Sequence, residues 1–151
     1  MTSGQFGVNV LHALLRKDPS LIDALRPIEQ GGDLDDEEEP LRQTAGGPIQ
    51  RKSFDLLTYP QYYQAGERIV TLFDDLMQMM QNQHAEQEII KRIRSVGATH
   101  AKQKLIFNSC VWREFKSSIL GMVAECGYDS DATRVETLNA WSSLISLVIR
   151  E

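Results

Sequence analysis

Glu88–Ile106 reads EIIKRIRSVGATHAKQKLI, and its spacing decides the fold. Ile89, Ile93, Val96 and His100 follow one another at intervals of four, three and four residues, so one helical face carries three hydrophobes and then an imidazole. That face aims a nitrogen ligand at a dry place. A histidine so placed is either a hydrogen-bonded core residue or a metal ligand, and the rest of the chain has to decide between them.

A chain of 151 residues with 42% hydrophobic and 25% charged residues fits one globular domain spanning residues 1–151. Its net charge of −5 and the lack of a continuous Lys/Arg stripe argue against nucleic acid as a partner; the best basic cluster, Lys91 to Arg94, is short and interrupted by Ile93. No apolar run is long enough to span a bilayer, and the opening MTSGQFG is neither a signal peptide nor a myristoylation site, so a cytoplasmic location is expected. Cys110 and Cys126 lack any CxxC or zinc-finger spacing and read as reduced thiols in or near a helix.

The same periodicity recurs along the chain. Thr2 and Gln5 have capping-box spacing before a helix over 3–17, which Pro19 ends. Pro19 then opens a short helix closing at Pro27. Residues 29–53 hold two Gly-Gly pairs, two prolines and six acids between Asp33 and Glu39, with no periodic apolar face. They read as a mobile acidic loop, through which a basic protein partner is conceivable. A long helix from about Pro60 to Asn82 places Ala65, Ile69, Leu72, Phe73, Leu76 and Met80 on one wide stripe, with the methionines at 77, 79 and 80 as packing filler. Trp112, Phe115, Ile119, Met122 and Val123 mark another helix over Val111 to Cys126, and Leu138, Trp141, Ile145 and Val148 the buried face of a last one from about Asp131 to Arg150. No segment alternates as a strand does, so the fold class is all-α.

One helix thus offers a histidine near its C-terminal end, and the helix before it a wide apolar stripe. A flat hydrophobic cofactor between them, with His100 as axial ligand to its metal, is the haem arrangement. Several spacings resemble the globin family from Gly7 to the end. Gly7 lies twelve residues before Pro19, as the glycine of a close helix crossing lies before the C-helix proline of globins. AGERI (Ala65 to Ile69) resembles the distal stretch: a ligand-facing residue, a glycine, two variable positions and an aliphatic haem contact. SVGATHAKQKLI resembles the F helix and FG corner. VWREFKSSILGMV and ETLNAWSSLISLVI are similar to G and H helices of a nematode-like type.

The resemblance implies a globin-like helical sandwich binding heme b, with His100 as proximal metal ligand. Val96 and Ile69 would be aliphatic contacts, Thr99 the neighbour of the ligand and Ile106 the corner aliphatic. The carbonyl of Val96 and the hydroxyl of Thr99 are expected to hold the second ring nitrogen of His100. Arg68 and Lys104 are candidates to reach the propionates.

The chain departs from the family in four places. Leu25 stands six residues after Pro19, where globins carry a phenylalanine stacked on the haem, and this weakens haem retention. The distal position falls on Ala65 with Leu11 opposite, and neither donates a hydrogen bond to bound dioxygen. A register one residue back would bring in Gln64 but make Arg68 a deep contact, which is unfavourable; Tyr62 is the next nearest hydroxyl. The chain begins where the second helix of a full globin begins, so the A helix is read as missing, and the acidic segment enlarges the connection between the C and E helices.

The function expected is therefore a haem globin that binds a diatomic gas such as oxygen, or acts as a redox or gas sensor. The apolar distal side argues against simple oxygen storage, while oxygen binding and oxygen transport stay among the expected roles. No acid/base pair near that face supports dedicated peroxidase chemistry, and no enzymatic role is expected. The rival is a haem-free globin-fold module that binds another protein; a third reading is a helical bundle unrelated to globins. His84 and His12 read as surface or boundary residues and not as sites.

Overall fold

The computed structural model describes residues 3–25 and 60–151, with side chains over 4–22 and 60–151. The proposed capping residue Thr2 and the acidic stretch 29–53 lie outside the described residues. Five α-helices and one 3-10 turn follow in order: α1 Ser3–Lys17, the turn Pro19–Leu25, α2 Pro60–Gln81, α3 Glu86–Lys102, α4 Ser109–Ala124 and α5 Asp131–Arg150. The described residues contain no strand, so the all-α reading holds.

Local chemistry sets the ends. Asp18 accepts from the Ser20 amide at 3.1 Å, which caps the turn that Pro19 opens. Asn108 accepts from the amides of Cys110 and Val111 at 2.9 and 3.0 Å and so starts α4, and Ser130 accepts from Thr133 N at 3.1 Å to start α5. Glu86 and Glu88 lie in the first turn of α3, where the helix dipole favours negative charge.

The main core joins α1, α2, α4 and α5 through Val10, Leu14, Phe73, Phe115, Ile119 and Ile145. Its tightest point is the crossing of α1 over α2. A Cβ on Gly7 would stand 2.0 Å from the carbonyl oxygen of Gly66, and one on Gly66 would stand 2.8 Å from the backbone nitrogen of Val8. Main chain meets main chain there, and only glycine on both helices permits the approach.

A smaller cluster, Leu72, Leu76, Ile89 and Ile93, packs α2 against α3 near the turn that joins them. Two ion pairs hold α3 in place. Both Nε and one terminal nitrogen of Arg92 reach Asp75 Oδ2 on α2, at 3.1 and 2.7 Å. Arg94 does the same to Glu151 Oε2 beyond the end of α5, at 3.0 and 2.7 Å. The arginines of the one basic cluster in the sequence are thus committed to carboxylates of the same chain.

Two packing expectations need correction. Met80, placed on the buried stripe of α2, is 44% exposed. It stands in the last turn of α2, where the chain is about to leave the core, while Met77 and Met79 are partly buried against it. In α5 only Ile145 is fully buried; Leu138, Trp141 and Val148 are partly buried, because among the described residues no helix covers the outer side of α5.

Candidate functional site

His100 ends the apolar face of α3, and its surroundings are built from the chain immediately around it. Its Nδ1 lies 2.8 Å from the carbonyl oxygen of Val96, one turn earlier. A carbonyl only accepts, so Nδ1 carries the proton and Nε2 of the neutral ring keeps a free lone pair. The ring is thereby fixed in tautomer and orientation with its other nitrogen available. The side chain is partly buried.

The backbone after His100 is equally constrained. Leu105 N donates to His100 O at 3.1 Å and Lys104 N to Ala101 O at 3.0 Å, the pair of bonds that closes a helix in a Schellman motif. Lys104 occupies the left-handed position of that motif, at φ 56°, where glycine is usual. The corner then turns back, and Phe107 sets its ring 5.6 Å from the imidazole, centroid to centroid.

No protein-family model, curated protein or solved structure matches this chain.

The residues expected around the histidine fall into two groups. Leu11 is buried, and Ala65 and Ile69 are partly buried against the main core. Val96 packs on the smaller cluster, also partly buried. Helices α2 and α3 meet through Leu72, Leu76, Ile89 and Ile93, whereas Ala65 and Ile69 in the first half of α2 pack on the main core. Incompletely covered apolar side chains therefore remain on the first half of α2 and the second half of α3. Ile106, at the corner, is 85% exposed, an unusual position for a large aliphatic side chain.

Other candidates stand apart from the ring. The Thr99 hydroxyl does not hold the imidazole: it donates to Ser95 O at 3.1 Å, the usual outlet for a threonine inside a helix, and the residue is exposed. Arg68 and Lys104 are exposed and form no ion pair among the described residues. Leu25 ends the 3-10 turn, and its side chain lies outside the described ones. Gln64 is exposed like Arg68, and Ala65 between them is partly buried. Tyr62 is buried at 4% exposure. His12 and His84 are both exposed, with His84 Nδ1 2.8 Å from Glu88 Oε2, as expected of surface residues. Cys110 and Cys126 are free and exposed.

Sequence reasoning missed Phe107. Its signal was an aromatic directly after the corner aliphatic, two residues beyond a helix-ending turn. It also missed the partner of Gly7, although Gly66 stood in the quoted AGERI stretch.

One imidazole with a free Nε2 supplies a single coordination position, and among the described residues no three His, Cys, Asp or Glu gather to supply the others. A porphyrin would bring four nitrogens of its own and need apolar side chains on its faces; Ala65, Ile69 and Val96 are apolar but are already partly buried against the two cores.

Proposed function

We propose that this chain is a cytoplasmic haem-binding globin domain in which His100 Nε2 holds the iron of heme b. The observation that carries the reading is the 2.8 Å contact between His100 Nδ1 and Val96 O, which frees Nε2 and orients it. The contact of α1 and α2 at Gly7 and Gly66 supports it further, since the globin resemblance asks for a close crossing at Gly7 and for a glycine directly after the ligand-facing Ala65.

When bound, the group supplies an iron position for a diatomic gas and a one-electron redox couple. The chain's own residues set the rest. His100 is oriented by Val96, and the Schellman closure fixes the helix end that carries it. Ala65 and Leu11 present no hydrogen-bond donor to a ligand, so negative charge on bound dioxygen goes unanswered by side chains there. That favours gas sensing or redox cycling over simple oxygen storage. No residue here is assigned a catalytic role, and the domain is read as a sensor or redox protein and not as an enzyme.

The test is the absorption spectrum of the haem-reconstituted protein, ferric and dithionite-reduced, beside His100→Ala. A sharp Soret band that shifts on reduction and collapses in the variant is expected. The broad band of free haem in both proteins would sink the proposal and leave a cofactor-free helical interaction module as the working account.

A further inference from the structure

From Ile89 to Arg113 the chain carries six lysines and arginines and no aspartate or glutamate, although its net charge is −5. Arg92 and Arg94 are paired with carboxylates of the same chain. Lys91, Lys102, Lys104 and Arg113 are exposed and form no ion pair among the described residues. Three of these four gather where α3 turns into α4: Lys102 and Lys104 stand at the corner, and Arg113 follows Trp112, whose ring meets Phe107 of that corner at 5.1 Å. Glu114, the first acid after the stretch, is bound to Lys17 at 3.6 Å. Between the lysines and α4 stands Ile106, 85% exposed. Its neighbours Leu105 and Phe107 both pack against the main core, so the backbone is pinned on either side and the isoleucine is turned outward. The bond from Leu105 N to His100 O before it and the Asn108 cap after it fix the corner further. An aliphatic group held in water by a tied turn is not free to fold back onto its own core, and a surface that covers it lowers the free energy.

We infer that this corner is a membrane-contacting tip: Ile106 enters the headgroup boundary of an anionic bilayer, and Lys102, Lys104 and Arg113 lie over its lipid phosphates and carboxylates. A projecting side chain offers nothing for a peptide to enter, whereas a fluid interface moulds itself around it. An anionic surface answers cations that no carboxylate of the chain answers. The acidic remainder of the chain is repelled by the same surface, which orients the domain corner first. One aliphatic side chain with three cations gives weak, reversible adsorption and not anchoring. The inference does not depend on haem at His100.

Co-flotation of the full chain with vesicles of phosphatidylcholine, alone or mixed with phosphatidylserine, tests the tip. Partition onto the mixed vesicles is expected, with none onto phosphatidylcholine alone and with loss in high salt. The double variant Lys102→Gln, Lys104→Gln should lower the partition coefficient about thirtyfold, and Ile106→Gln about tenfold. Ile106→Trp should raise it, since an indole favours the interface. Lys91→Gln removes an equally exposed cation about 16 Å along α3 from Lys102, beyond the screening length, and should change it by no more than about twofold. No flotation with the mixed vesicles, or equal flotation with both kinds, would overturn the tip. So would partition that falls in the lysine variant and stays at the wild-type value in both Ile106 variants, the result for a basic patch that meets an acidic protein or another polyanion. The substituted side chains are all exposed, so the variants should melt as the wild type does. Haem plays no part in the readout, and failure of the haem reading leaves this test intact.

Discussion

The crossing of α1 over α2 and the end of α3 at His100 are built on opposite principles. At the crossing, backbone touches backbone between Gly7 and Gly66, and the neighbouring Val8, Val10 and Leu11 are at most 8% exposed. At His100, polar atoms are fixed by hydrogen bonds while the apolar side chains around them remain partly uncovered. One region is specified by the absence of space, the other by directional bonds among partly exposed side chains. Stability is concentrated in the first, and the candidate chemistry in the second.

Gly7→Ala attacks that contrast most directly. Its methyl would stand 2.0 Å from a carbonyl oxygen that no rotamer change can move, so the two helices must separate. A loss of about 3 kcal/mol is expected in urea denaturation. A loss below about 1 kcal/mol would show that the crossing relaxes freely, and the contrast would fall.

Lys104→Gly should act in the opposite direction. The residue sits at φ 56° in the Schellman position, where a Cβ is unfavourable and glycine is not. A gain of about 0.5–1 kcal/mol is expected, less whatever entropy glycine adds to the unfolded chain. Circular-dichroism melts of the two proteins would measure it.

His100→Ala should leave the haem-free protein within about 0.5 kcal/mol of wild type, because alanine's helix propensity offsets the lost ring contact with Phe107. A much larger loss would mark His100 as a structural residue and blur the distinction between the two regions.

The smallest effect belongs to Glu151. Hydrogen bonds from Arg94, and then from Arg150, hold its carboxyl below the ordinary value of 4.5. A lowered folded-state pKa gives stability that is present above the unfolded value and lost as pH falls through the folded one. The difference between wild type and Glu151→Gln should therefore be present at neutral pH, vanish in acid below the carboxylate range, and shrink in high salt. A difference that grew on acidification would contradict the pairing.

The helices were legible because burial on one face imposes a 3.6-residue period that survives without neighbours in view. Pro19 marked one start for a local reason, whereas the capping roles of Asn108 and Ser130 went unread and the start of α4 was set two residues late, at Val111. The bond from His100 Nδ1 to Val96 was legible too, being an interaction one turn away on the same helix. What escaped depended on two segments meeting. Nothing in the spacing of Gly7 named Gly66 as its counterpart, and Phe107 comes to the imidazole only because the chain reverses at Lys104. Met80 failed for a related reason: a periodic stripe continues to the helix end, but the core it faces does not. Thr99 shows a third kind of miss, since a hydroxyl within reach of two acceptors takes the backbone carbonyl that its own helix supplies.

The Schellman closure after His100 has a mechanical consequence. The imidazole hangs from Val96 O, and the carbonyl of His100 itself tethers Leu105 N, so ring and corner share one frame. The imidazole cannot be repositioned alone: any change in its seat is shared with the left-handed turn at Lys104 and with the Phe107 ring that rests against it.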